Sequence, residues 1–329
     1  MTVYLGKKPV GVTKIVKKEI PESRFGVKIS DLLGTVDADG NYIPPTEDYV
    51  LDLTGVKSIP SYAFLAFGAA DTNSLSPSGR TRRFRGIIAN DVVSIGSFAF
   101  YGVAFYDESF EFASFDSVEE LSSTGVFTSA FSYAKNASFA SLKRITGSGA
   151  FVSAFDAVTD LEYDKIFPVL TYVIGSSSLK MGETTSSNYG VVRLSKIQTL
   201  VGSSSQYSSI FGSTYVTIFV PRCTQIQQYV CRPSHKNILH FAAANQAAIE
   251  ACDGYSSMFG ATAIYFDLML TITVNGVVYD REYTIGGYTS WKDTNGNLVY
   301  TDATTEPAVG TVVYSDNGTT QVGTVEGVA

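Results

Sequence analysis

The sequence is poor in the residues that carry most chemistry. It has 3 cysteines (Cys223, Cys231 and Cys252), 2 histidines and 1 tryptophan in 329 residues. Three cysteines packed into one stretch are too few for a disulfide framework, and they suit a chain made in a reducing compartment. Charged residues are scarce at 17%, and the net charge of −7 leaves no clustered positive footprint for nucleic acid. No run approaches the roughly 20 apolar residues of a membrane span. The N-terminal stretch "MTVYLGKKPVGVTKIVKKEIPESR" has lysines but no apolar run of signal-peptide length, so the expectation is a chain without a cleaved signal.

Catalytic signatures are missing as well. There is no phosphate-binding Walker loop, no G-x-S-x-G elbow, no H-E-x-x-H and no dinucleotide fingerprint. The serine runs after Gly175 and Gly202 have no histidine nearby and read as turns. Cys223, Cys231, His235, His240 and Cys252 fall together, but a zinc site needs a tighter cysteine pair, and buried thiols are the better reading. "DADGNYIPPTED", with Asp37, Asp39, Asn41 and Asp48, places its glycine too early for a calcium loop and reads as a turn. The carboxylates Asp107, Glu108, Glu111, Glu119 and Glu120 read as solvated loop groups. The expectation is therefore no catalytic residue, no metal and no cofactor.

What the sequence has in quantity is hydrophobic residues at 45%, with 21 phenylalanines, 20 tyrosines and 29 glycines. That mixture favours strands and turns over helical bundles. It also repeats itself. Leu51, Leu53, Val56 and Ile59 align with Ile87, Ala89, Val92 and Ile95, then with Ala113, Phe115, Val118 and Leu121. The frame returns as Ala137, Phe139, Leu142 and Ile145, in weaker form around Leu170 and Val173, and as Val192, Leu194, Ile197 and Leu200. The anchors 59, 95, 121, 145, 173 and 200 lie 36, 26, 24, 28 and 27 residues apart. The long first interval holds a polar insertion, "DTNSLSPSGRTRRF", expected as an exposed loop.

Within a unit, the first two positions share one face of a short strand. The phrases "SYAFLAF", "SFAFYGV", "VFTSAF" and "AFVSAF" follow, with Phe64 and Phe67, or Phe127 and Phe131, spaced for one face of a helical turn. Such a unit cannot bury its own apolar face, but stacked copies can. This predicts a solenoid with a phenylalanine spine.

"VKSIPSYAF" and "VVSIGSFAF" resemble the BspA-type leucine-rich repeat, over about half the chain. The resemblance implies a β-rich α/β solenoid of leucine-rich repeats over 48–221, closed by "VTIFVPRCTQIQQYV" as a last strand and a proline-started capping helix. The remainder divides into an N-terminal β attachment segment (1–47), a helical cap and connector (222–260) and a C-terminal all-β module of hairpins (261–329). The opening "MTVYLGKKPVGV" resembles the N-termini of phage tail and tail-fibre proteins, which attach to the particle. Together the resemblances imply a virion protein: a tail-fibre or baseplate-associated, non-catalytic component that recognises the host surface. Its partners would be other virion proteins through the N-terminus and a bacterial surface glycan or protein, with no nucleic acid and no membrane span, as a homotrimer. The alternatives are a bacterial surface adhesin of the same repeat family and a glycan-degrading tail enzyme. Candidate partner contacts are the densest basic cluster, Arg80, Arg82, Arg83 and Arg85, and the aromatics Tyr288, Trp291 and Tyr300, against the better readings of a solvated insertion loop for the arginines and core filling of the β module for the aromatics.

Overall fold

The computed structural model describes residues 2–5, 16–19, 35–36, 42–43, 49–65, 84–105, 107–158, 161–179, 190–205, 209–211, 215–233, 236–253, 255, 259–316 and 318–329. The chain forms two compact units, Met1–Leu161 with Gly175–Glu183, and Glu162–Ile174 with Thr184–Ala329. Both are mostly β, and both contain stacked parallel strands. Among the described residues no helix is long and apolar enough to cross a membrane.

The first unit runs β1 (Thr2–Leu5), β2 (Val16–Glu19), β3 (Thr35–Val36), β4 (Tyr42–Ile43), β5 (Tyr49–Asp52), β6 (Ser58–Ile59), β7 (Phe84–Ile88), β8 (Ser94–Ile95), β9 (Phe112–Ser114), β10 (Glu120–Leu121), β11 (Asn136–Ser138) and β12 (Arg144–Ile145). Its repeat frame stacks with the expected partners. Leu51 stands beside Ile87, Ile87 beside Ala113, and Ala113 beside Ala137. Ile59 meets Ile95 and Leu121 meets Ile145 in a second ladder. The same turn links the two strands of each unit: Val56, Val92, Val118 and Leu142 donate their N–H to Leu53, Ala89, Phe115 and Phe139. All of these frame residues are buried. The N-terminal β1 pairs antiparallel with both β2 and β5, so the chain direction reverses beside the first repeat strand. The insertion ahead of Phe84 lies outside the described residues.

The "A-F" element is not the helical turn that its spacing suggested. It is a string of turns carrying left-handed residues, among them Tyr62 (φ 61°), Phe98 (φ 56°), Ser129 (φ 51°) and Phe131 (φ 60°). Each such residue costs about 1 kcal/mol or more, and persists only where the surroundings over-determine it. Here a third ladder does so. Phe98 and Phe100 donate to Thr124 and Val126 of the next unit, and Gly125, Phe127 and Ser129 donate to Ser148, Ala150 and Val152 of the one after. An α-helix would spend these donors internally, and the rungs would lose their register. Gly125 (φ 63°) belongs to the same string, and a Cβ there would lie 2.4 Å from the Phe98 ring.

Inside the ladders the rings stack: Phe64 on Phe100 (5.2 Å), Phe100 on Phe127 (5.5 Å) and Phe127 on Phe151 (5.1 Å), each pair within 19° of parallel. Burying each ring contributes roughly 1.5–3 kcal/mol, and favourable ring contacts add about 0.5–1.5 kcal/mol. This is the predicted spine. Phe67 lies outside the described residues.

The second unit contains the short helix Tyr163–Ile166, β13 (Tyr172–Ile174), β14 (Gly190–Arg193), β15 (Thr199–Val201), β16 (Val216–Phe219), β17 (Gln225–Gln227), β18 (Ile238–Ala242), the helical stretch Ala243–Glu250, and β19 (Ala263–Leu268). Val173, Leu200 and Ile226 stack as successive anchors of parallel strands. Where the sequence suggested a proline-started capping helix, the structure places β17. Ile218, Val220, Cys223 and Ile226 complete one more unit on the same frame, with the turn bond from Cys223 N–H to Val220 O. A ready edge at β15 outcompetes local helix propensity. The parallel sheet then continues through β18 to β19, so residues 263–268 belong to it rather than to the C-terminal module.

That module is a closed six-stranded barrel: β20 (Thr271–Val274), β21 (Val277–Ile285), β22 (Tyr288–Lys292), β23 (Leu298–Asp302), β24 (Val312–Tyr314) and β25 (Gln321–Val328). Hairpins build it, and β20 pairs with β25 to close it. Ile272, Val274, Trp291, Val299, Val313 and Val325 fill its interior. Closure leaves no free strand edge.

Candidate functional site

Polar chemistry is concentrated where the barrel meets the strands of its own unit. Asp164, on the short helix, is buried. Its Oδ1 accepts the Ser195 N–H at 2.7 Å, and its Oδ2 accepts the Ser195 hydroxyl at 2.6 Å and the Thr284 N–H at 2.9 Å. Glu162 Oε1 accepts the Gly286 N–H at 2.7 Å beside it. Burial pushes the Asp164 carboxyl up from its ordinary value, against the pull of Ser195, Thr284 and Arg281. The acid's acceptors are occupied by Ser195 and by the backbone of β21, so the arrangement clamps a barrel strand to the turn before β15. Lys196 adds a 2.6 Å ion pair to Glu282, and Arg222 donates to the Arg281 carbonyl at 2.6 Å.

Arg281 points into the barrel. Its guanidinium grips Glu306 with two bonds of 2.7 and 2.8 Å, donates to the Met269 carbonyl at 3.1 Å and lies 5.3 Å from the Trp291 ring centre. A forked, stacked arginine of this kind orders the barrel base. Trp291 shares this inward row, Arg281–Trp291–Val299, and its indole N–H is taken by Thr301 at 2.9 Å. It is fully buried. Of the two readings of Trp291, core filling and sugar stacking, the structure thus shows core filling.

The neighbouring positions point outward. Tyr283, Ser290, Tyr300, Tyr314 and Gln321 form one row across β21 to β25, with Tyr288 and Asp302 in the next row. The four tyrosines are half-buried, whereas Ser290, between Tyr283 and Tyr300 in the row, is fully buried. Tyr288 and Tyr314 meet edge to face at 6.4 Å. The structure thus brings Tyr288 and Tyr300 onto one face, together with Tyr283 and Tyr314. The outward parity of "REYTI" and "TVVYS" carries these two in the sequence, but the β21–β22 pairing puts Tyr283, and the β23–β24 pairing Tyr314, beside the others.

A second aromatic row crosses β14 to β19. Arg193 lies 4.2 Å over Phe219, Phe219 stacks on His240 at 4.5 Å, and His240 on Tyr265 at 5.1 Å. The His240 Nδ1 is 2.8 Å from Asp267.

Arg80, Arg82 and Arg83 lie outside the described residues. Arg85, on β7, reaches Glu111 at 3.2 Å and the Ser109 carbonyl at 3.3 Å, which ties neighbouring units together. Cys223 and Cys231 are buried, and Cys223 takes the frame position held by Val56, Val92 and Val118. Among the described residues no three His, Cys, Asp or Glu side chains come together as metal ligands. His235 and the "DADGNYIPPTED" acids Asp37, Asp39 and Asp48 lie outside the described residues.

Comparison with protein-family models, with curated proteins and with solved structures finds no match to this chain.

Proposed function

We propose that this chain is a non-catalytic recognition protein of a phage virion, a tail-fibre or baseplate-associated component whose array is of the BspA leucine-rich type. The observation that carries the recognition reading is the division of labour within each repeat. The position after the turn is held by Lys57, Val93, Glu119, Lys143, Thr171, Gln198 and Thr224 in successive units. Six of these side chains are exposed and Thr171 is half-buried, while the residue before each of them is buried. One backbone place is thus filled with several chemistries. A frame that keeps its interior and varies its outside is suited to presenting a surface. The N-terminal likeness to tail proteins supports the virion part of the reading, with residues 1–47 as the attachment end.

The test is immunogold labelling of purified virions of the encoding phage with an antibody against the barrel. Gold at the tail is expected. Virions that carry no label, while the antibody still binds the purified protein, overturn the reading.

A further inference from the structure

We infer that the outer face of β21 to β24, carrying Tyr283, Tyr288, Tyr300 and Tyr314, binds neutral carbohydrate chains. This rests on the recognition reading above and names the ligand class and the place.

Four phenolic rings on one rigid closed sheet give apolar faces with polar tips. Pyranose rings have the matching character, C–H groups on their faces and hydroxyls at their edges. Ser290 is the small residue of the row, and its hydroxyl is turned to the Tyr283 backbone, donating to the carbonyl at 3.2 Å. No polar group therefore stands up between Tyr283 and Tyr300.

The rim selects the charge of the ligand. Asp302 lies opposite Tyr288, and its Oδ1 accepts the Thr304 N–H at 2.8 Å. Asp316 follows Tyr314 by two residues, and its Oδ1 accepts the N–H groups of Thr319 and Thr320 at 2.9 and 3.0 Å. Side-chain hydrogen bonds from Thr304 and Thr319, together with these backbone ones, hold both carboxyls below their ordinary value, so they are ionised at neutral pH. Ionised carboxylates accept sugar hydroxyls and repel uronate, sialate or phosphate groups. The chain's net charge of −7 acts in the same direction. A neutral hexose chain fits both the rings and the rim.

The experiment is calorimetric and NMR titration of the full chain with dextran, mannan, galactan and laminarin, with polygalacturonate as the anionic control. At least one neutral glycan is expected to bind and to broaden tyrosine ring resonances, and polygalacturonate is not. Tyr300→Ala and Tyr314→Ala are each expected to weaken binding about tenfold. Tyr300→Phe, which keeps the ring, should retain most of it. Unchanged Trp291 emission certifies that each variant barrel is folded. If an alanine variant shifts that emission, the ring broadening of the unaltered protein decides. No binding to any of the four neutral glycans, or alanine variants that bind as well as the parent, overturns the inference. A protein that labels the virion tail but binds none of them leaves the virion reading standing while this one fails.

Discussion

Phe100 stacks on Phe127 at 5.5 Å with planes 19° apart, and Phe127 stands in the same relation to Phe151. The middle ring thus serves two repeats at once. Phe127→Ala is expected to destabilise the first unit by about 3–5 kcal/mol, read from urea unfolding. A loss under 1 kcal/mol would mean that the spine contributes no more than area burial at an exposed site.

Gly125 and Gly55 separate two causes of glycine dependence. Both have positive φ, 63° and 84°. A Cβ at Gly55 meets nothing within 4 Å, whereas one at Gly125 meets the Phe98 ring at 2.4 Å. Gly55→Ala should cost about 1 kcal/mol of backbone strain. Gly125→Ala should cost clearly more, because Phe98 stacks on Tyr62 at 5.5 Å and has to move. Equal costs in paired denaturation curves would count against the close approach.

The thiols should react in a fixed order. Burial pushes the Cys223 thiol up to about 12 and the Cys231 thiol up further, whereas Cys252 is only half-buried. Because the thiolate is the reactive form, a disulfide reagent at pH 8 should label Cys252 first and reach the other two only on unfolding. Fast native labelling of Cys223 would contradict its place in the repeat frame.

The buried acid predicts a pH dependence of unusual sign. With its folded value raised above 3.8, Asp164 takes up a proton more readily folded than unfolded. Its contribution to stability is therefore greatest below about 4 and declines as pH rises through the folded value. Asp91, Asp293, Asp302 and Asp316 are held low by hydrogen bonds and slope the other way, so a difference measurement is needed. Asp164→Asn turns an amide N–H₂ toward the donors on Oδ2 and should cost about 1–3 kcal/mol. The stability gap between parent and variant should narrow from pH 4 to pH 8. A gap that widens refutes the assignment.

The Arg281–Glu306 pair should show strong coupling. Removing one partner leaves a buried charge without its counter-charge, at about 3–5 kcal/mol. Arg281→Met should therefore be much worse than Arg281→Met with Glu306→Leu. Trp291 emission and thermal unfolding together report the outcome, and additive costs would argue against the pair.

The repeat anchors were legible because burial fixes both their character and their period, so even the weak Val173 fell into place. The turns around Phe98 and Phe131 were not. Their spacing of three and four matches a helix, and only the hydrogen bonds from neighbouring units offset left-handed backbone there. Cys223 was misplaced for a related reason: next to Pro221, a cysteine in "PRCTQI" looks like a helix start until β15 supplies a strand partner. The barrel hairpins were readable from their Asn-Gly turns, but closure depends on Ile272 meeting Val328, a pairing with no local trace. Asp164, in "LEYDKI", looks like any surface acid. Half of the tyrosine face was found and half missed, since Tyr283 joins it through the β21–β22 pairing and Tyr314 through the β23–β24 pairing.

The reversal at β1 bears on how such a protein can change length. A strand running against β5 cannot be mistaken for another parallel rung, and β2 lies outside it. New repeats copied by gene duplication would have no parallel edge to join at that side. Growth of the array at that side has to occur by splicing units between existing rungs, where each newcomer must match the phenylalanine stack on either side of it.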